Sequence, residues 1–160
     1  MRQTVEALEK AKERAGGREK GGVSVDIRVG MCIFTQLMTN PVFYFEIPVR
    51  NMDRAISFYS KTFDMTFERQ EIDGNEMALF PYQPSGEGAT GALAKGDSYK
   101  PSLKGTRVYF STQDIDATLR NAISSGGRLI YPKTDTGDYG FVAEFEDSEG
   151  NCIALHMKKQ

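Results

Sequence analysis

Residues 43–67, FYFEIPVRNMDRAISFYSKTFDMTF, decide how this chain folds. From Phe43 to Pro48 polar and apolar side chains alternate: Tyr44, Glu46 and Pro48 share one strand face, and Phe43, Phe45 and Ile47 share the other. Asn51 is placed to cap a helix, because its short side-chain oxygen can accept an orphan amide of the first turn. Met52, Ala55, Ile56, Tyr59 and Phe63 then recur at helical spacing and form one apolar face. A second strand is expected over Met65 to Ile72. The helix covers one sheet face, so a functional site is expected on the other, which carries Tyr44 and Glu46.

Downstream, Asp73-Gly74 signals a tight hairpin between Met65–Ile72 and Glu76–Phe80. Residues 81–88 read as a loop, Ala89–Lys95 as a strand of small residues, and Gly96–Lys104 as a linker. The pattern then repeats. Arg107–Thr112 reads as a strand, and Asp114 caps a helix whose apolar face is Ile115, Leu119, Ala122 and Ile123. Gly126-Gly127 ends that helix. Arg128–Tyr131 is the next strand, PKTDTGDYG (132–140) a polar loop, and Phe141–Glu146 and Cys152–Met157 a closing hairpin. Superposing Met52-Asp53 on Ile115-Asp116 matches Tyr44 with Arg107, Glu46 with Tyr109 and Pro48 with Ser111. The expected fold is α+β: two paired βαβββ modules, at about 41–97 and 105–158, forming a curved mixed sheet around a cleft, with the helices outside. A concave face between two repeats is a usual place for a small ligand.

Residues 1–40 read differently, as an N-terminal extension. A charged helix over Thr4–Ala15 is broken by Gly16-Gly17 and Gly21-Gly22, and Val23, Val25, Ile27 and Val29 alternate as in a half-buried strand. The extension is either an arm or a non-native start, with Met38 as an alternative first residue. It lacks the continuous apolar run of a secretory signal, and Glu6, Glu9, Glu13 and Glu19 argue against a mitochondrial presequence. The 160 residues carry a net charge of −2 with Lys and Arg scattered, which gives no footprint for nucleic acid. No apolar run approaches the roughly 20 residues of a membrane span. Cys32 and Cys152 read as free thiols of a cytoplasmic protein. His156 is the chain's single histidine, which severely limits any His-rich metal site.

FEIPVRNMDRAISFYSKTF near the start and FVAEFEDSEGNCIALHMKK at the end resemble the glyoxalase/bleomycin-resistance/extradiol-dioxygenase (vicinal oxygen chelate) superfamily, over Pro41 to Lys158. The closing FEDSEGNCIALH is similar to that family's acidic, Asp-Pro-x-Gly-Asn, apolar-strand ending, with Ser148 in place of proline. The resemblance implies a small single-chain member, a homodimer, and either ligand sequestration or lyase, isomerase or dioxygenase chemistry. It also implies one divalent metal held by four His or Glu side chains, two from each module. The matching positions are Tyr44, Ala92 (or Gly91 if the register slips by one), Arg107 and Ala154. Alanine and glycine have no donor atom and arginine is a permanent cation, so no cofactor is expected, with a divalent metal on unusual ligands as the alternative.

Six residues are then candidates for function. Glu46 and His156 can serve as acid–base groups. Tyr44, Arg107, Tyr109 and Glu144 can line and anchor a ligand, Arg107 by bidentate bonds to an anion. Each has a structural counterpart reading: Glu46 paired with Arg107 or a nearby tyrosine, Arg107 and Glu144 in ion pairs, His156 satisfied at a strand end, the tyrosines as lining. A replacement metal site would need Glu46, Glu144 and His156 to converge. Cys152 reads as a small core or cleft residue. Asp135, Gly137 and Asp138 lack EF-hand spacing and read as part of a lid that Gly137 and Gly140 allow to move. The expected activity is binding of a small polar or anionic molecule in the cleft. Metal-dependent or metal-free enzyme chemistry is the alternative.

Overall fold

The computed structural model describes residues 42–159 apart from 85 and 87. The Thr4–Ala15 helix, the strand around Val23–Val29, Cys32 and the start at Met38 lie outside the described residues. The first module runs β1 (Tyr44–Pro48), α1 (Met52–Phe63), β2 (Glu68–Ile72), β3 (Asn75–Leu79) and β4 (Thr90–Lys95). The second runs β5 (Val108–Ser111), α2 (Ile115–Ser124), β6 (Arg128–Asp135), β7 (Phe141–Glu146) and β8 (Cys152–Met157), with one 3₁₀ turn at Gly137–Tyr139. Both helices start where their caps place them. The Asn51 side chain accepts from the Arg54 amide at 2.9 Å, and that of Asp114 from the Ala117 amide at 3.0 Å. Gly126, at φ 100°, ends α2 as only glycine does readily. Asp73 and Gly74, at φ 52° and 74°, form the two-residue turn that matches strand twist between β2 and β3.

Each module builds one four-stranded mixed sheet. β1 pairs in parallel with β4, in the order β1-β4-β3-β2, and β5 pairs in parallel with β8, in the order β5-β8-β7-β6. Hydrogen bonding therefore gives two sheets of four rather than one continuous sheet. Side-chain packing joins them. Ile47 and Leu93 of the first sheet, Ala55, Phe58 and Tyr59 of α1, Ile115, Leu119 and Ala122 of α2, and Phe145 and Leu155 of the second sheet bury in a single core. Across it Phe63 stacks on Phe110 at 4.6 Å between centroids, and Phe45 meets Phe110 edge-on at 5.9 Å. The helix-facing sides of both sheets share this core, so the faces bearing Tyr44 and Tyr109 turn away from it.

The turn Asp147–Asn151 locks the modules together. Asp147 Oδ1 accepts from the amides of Glu149, Gly150 and Asn151, each at 2.8 Å, and Oδ2 accepts the Tyr59 hydroxyl of α1 at 2.7 Å. The Glu149 carboxylate has no solvent exposure. It accepts from the Arg50 and Asn51 amides at 2.9 and 3.0 Å and from Arg54 Nε at 2.7 Å. Asn151 donates to the Pro48 carbonyl at 2.9 Å and accepts from the Ser102 amide at 3.1 Å. A hairpin turn of the second module thus caps the strand-to-helix corner of the first.

Two elements differ from expectation: β2 begins at Glu68, three residues after Met65, and β6 is longer. β6 continues four residues past Tyr131 to Asp135, where a polar loop was expected. Thr134 and Asp135 pair with Val142 and Phe141, and irregularities between Leu129, Tyr131 and Thr134 absorb Pro132. Proline is tolerated there because β6 is an edge strand. Only the 3₁₀ turn remains irregular, and Asp135 braces it by accepting from the Gly137 amide at 2.8 Å. The lid reading of 132–140 contracts accordingly. No helix among the described residues is long and apolar enough to cross a membrane.

Candidate functional site

Strand alternation sorts the candidate residues onto the two faces turned away from the core. On the first sheet, Glu46 on β1 lies opposite Ala92 on β4, which lies opposite Leu79 on β3. Tyr44 neighbours Thr90. The pairing resolves the one-residue ambiguity at β4: Ala92 is on the open face with Glu46, and Gly91 is beside Phe45 on the core side. The linker folds back over this face. Tyr99 packs on Met77, Ala92 and Ala94, and its hydroxyl donates to Glu46 Oε2 at 2.8 Å. That bond and partial burial push the Tyr99 hydroxyl up to about 12. The structural counterpart reading of Glu46, a tyrosine partner, is therefore the arrangement observed.

On the second sheet one row runs Tyr109 (β5), Ala154 (β8), Glu144 (β7), Tyr131 (β6). The next runs Ser111, His156, Val142, Thr134. Arg107, immediately before β5, places Nε 3.1 Å from Glu144 Oε1. The arginine side chain is 50% exposed and the glutamate 17%. Cys152 Sγ lies 3.6 Å from Glu144 Oε2, and burial, above all, raises its thiol, so it is a small buried residue rather than a nucleophile. His156 Nε2 is 2.6 Å from the Tyr139 carbonyl oxygen. A carbonyl only accepts, so Nε2 carries the proton, and in a neutral ring Nδ1 is then an acceptor. Tyr109 and Tyr131 stand 53% and 43% exposed on either side of the row.

The structure thus brings Arg107, Tyr109, Glu144 and His156 onto one face and places Tyr44 and Glu46 on another. Among the described residues, no hydrogen bond, ion pair or aromatic contact links the two faces. No group of three His, Cys, Asp or Glu side chains there is arranged to hold a metal ion, so Glu46, Glu144 and His156 do not converge. Two cavities lie elsewhere. One of about 510 Å³ opens between Phe141, Lys133 and Lys159, and one of about 360 Å³ beside Phe67, Phe80 and Tyr82. Neither touches the six candidates.

The description of the glyoxalase/bleomycin resistance protein/dioxygenase superfamily matches residues 42–155, most of the chain, and the chain belongs to that superfamily. A glyoxylase-like domain-containing protein of Didymella fabae is 27% identical over 114 residues, 69% of this chain and 88% of that protein. TnmS3, an antibiotic binding protein from Streptomyces sp. CB03234, superposes with a TM-score of 0.58 at 23% identity, over 76% of this chain and 98% of its own. A glyoxalase I mutant from Zea mays superposes with a TM-score of 0.56 at 17% identity, over 73% of this chain and 46% of the maize chain. This chain therefore spans about half the length of the maize enzyme. At these identities the solved structures establish the shared fold.

The residues present do not fit the family's divalent metal. Ala92 and Ala154 are fully buried and bear no donor, and Arg107 puts a fixed positive charge where a ligand is required. Burial, chiefly, and the Glu46 charge raise the Tyr44 phenol above its ordinary value.

Sequence reasoning missed Tyr99 and Tyr131. Tyr99 sits in a polar stretch between Gly96 and Pro101, which reads as linker, and an aromatic between two turn residues is its one visible signal. Tyr131 was placed at the end of a strand, but its face depends on the irregularity that follows Leu129.

Proposed function

We propose that this protein binds a small organic molecule with an anionic or polar group on the open face of its second sheet, without the family's metal, and that Arg107 is the anchor. The observation that carries this reading is the Arg107–Glu144 pair at the head of β5. Glu144 holds the guanidinium by Nε, and the exposed half of the group keeps N–H donors for an incoming oxyanion. Tyr109 and Tyr131 offer rings to the body of the ligand, and His156 offers Nδ1. A fold shared with TnmS3, an antibiotic binding protein, supports binding as the role. The protein acts in the cytoplasm as a homodimer, in which a second copy facing one open sheet gives the ligand a second wall. Acid–base catalysis by Glu46 and His156 is the weaker reading, because the two stand on different sheets and each is engaged, by Tyr99 and by the Tyr139 carbonyl.

A thermal-shift screen of small carboxylates, phosphates and aromatic acids tests this, followed by titration of the best compound into wild type and Arg107→Ala. The expected result is binding that weakens by about tenfold or more in the variant. Unchanged affinity in Arg107→Ala, or a stoichiometric divalent metal that survives dialysis against a chelator, overturns the proposal.

A further inference from the structure

The open face of the first sheet already holds an aromatic alcohol, the chain's own. Tyr99 lies on a floor of Met77, Ala92 and Ala94, all nearly or fully buried, and its hydroxyl donates to the Glu46 carboxylate at 2.8 Å. We propose that this face is a subsite for a phenol, and that Tyr99 is a resident occupant which a free phenolic ligand displaces. The inference rests on the reading that the faces turned away from the core are ligand surfaces, and it adds the ligand class for the first of them.

The chemistry of the floor and of the acceptor selects a phenol. Alanine side chains leave room for a flat ring, and the Met77 thioether makes favourable contact with an aromatic. Glu46 accepts a hydroxyl in a charge-assisted bond, stronger than a bond between neutral groups. An anion is repelled by Glu46, and a hydrocarbon ring leaves the carboxylate without the donor that Tyr99 now supplies. The raised Tyr99 hydroxyl agrees with a phenol held in its protonated form.

The segment that carries Tyr99 is built to release it. Residues 97–107 contain neither helix nor strand. They are held by a turn from the Tyr99 amide to the Gly96 carbonyl at 3.1 Å, by the Ser102 amide on Asn151 Oδ1 at 3.1 Å and, at the far end, by the Arg107–Glu144 pair. None of these contacts requires the ring to stay on the floor. An occupied subsite lowers the apparent affinity of any competitor by the fraction of molecules in which it is free. Removing the occupant therefore raises affinity without any new contact.

The test uses p-cresol, which reproduces the Tyr99 side chain, and toluene, which lacks the hydroxyl, titrated into the full chain by calorimetry. Tyr99→Gly is expected to bind p-cresol about tenfold or more tightly than wild type, to bind toluene far more weakly, and to lose the gain when Glu46→Ala is added. In wild type with labelled tyrosine rings, the signal that Tyr99→Phe removes is expected to move as p-cresol saturates the protein. No gain in a folded Tyr99→Gly, equal binding of toluene, or a Tyr99 signal that stays in place overturns the proposal. Where Tyr99→Gly does not fold, Tyr99→Phe decides. Loss of its hydrogen bond to Glu46 loosens the occupant, so p-cresol affinity must rise, and no rise refutes the displacement. Arg107→Ala is expected to leave p-cresol binding unchanged, which separates this outcome from that of the second-sheet test. Loss of p-cresol binding in Arg107→Ala places the phenol elsewhere and overturns the assignment.

Discussion

Glu149 shows how much one side chain can decide. The sequence places it in a hairpin turn, where a glutamate normally faces water, yet its carboxylate is buried against the first module. It satisfies the Arg50 and Asn51 amides and one edge of Arg54. Truncation takes the acceptor from those part-buried donors, so Glu149→Ala is expected to cost about 1–3 kcal/mol in urea unfolding, and a loss below about 0.5 kcal/mol would contradict the latch. Tyr59→Phe removes one bond to the Asp147 carboxylate and is expected to cost about 2 kcal/mol by the same measurement. Burial alone raises the Glu149 carboxyl, but bonds from Arg54, Asn51 and Arg50 outweigh it and hold the group below its ordinary range. Its stabilisation is therefore complete above the unfolded value of about 4.3 and is lost as pH falls through the lower folded value. Wild type is expected to lose more stability than Glu149→Gln between about pH 7 and about pH 3, compared by urea midpoints at each pH. Equal losses would mean that the carboxyl is not linked to folding.

Among the elements, the parallel β1–β4 pair depends on a residue with no side chain. A Cβ on Gly91 would stand 2.2 Å from the Phe45 carbonyl oxygen and 2.8 Å from its ring. Backbone cannot yield as a flexible side chain does, so Gly91→Ala is expected to cost at least about 1–3 kcal/mol and to lower the melting temperature by several degrees. An unchanged melting temperature would show that β1 and β4 can separate without penalty. Most elements were legible in the chain. The Asn51 and Asp114 caps, the Asp73-Gly74 turn and the strands Phe141–Glu146 and Cys152–Met157 have local causes that a sequence displays. The extension of β6 did not show, because PKTD is a poor strand by composition and pairs only where Val142 and Phe141 present an edge. Its pairing is a property of the neighbour.

For the whole molecule, the two modules are repeats in sequence but not independent bodies. Phe58 of α1 packs on Phe145 of β7, and Phe63 on Phe110 of β5, so neither module completes its core alone. Unfolding of residues 42–159 is expected as one transition, with tyrosine fluorescence and far-ultraviolet circular dichroism coincident in urea. Two separated transitions would show that the shared core contributes less than its burial implies.

Periodicity, caps and turn residues determined by themselves that this chain makes two βαβββ modules. From the residue types at Ala92, Arg107 and Ala154 alone comes the expectation that no metal is held at the positions the resemblance matches, because a side chain without a donor lacks it in any conformation. Tertiary structure alone decided the partners: Glu144 for Arg107, the Tyr139 carbonyl for His156, Tyr99 for Glu46, and the first module for Glu149. Such pairings join residues 17 to 99 positions apart in the chain. Local pattern carries no record of contacts at that range, which form only when the sheets and the shared core bring the backbone together.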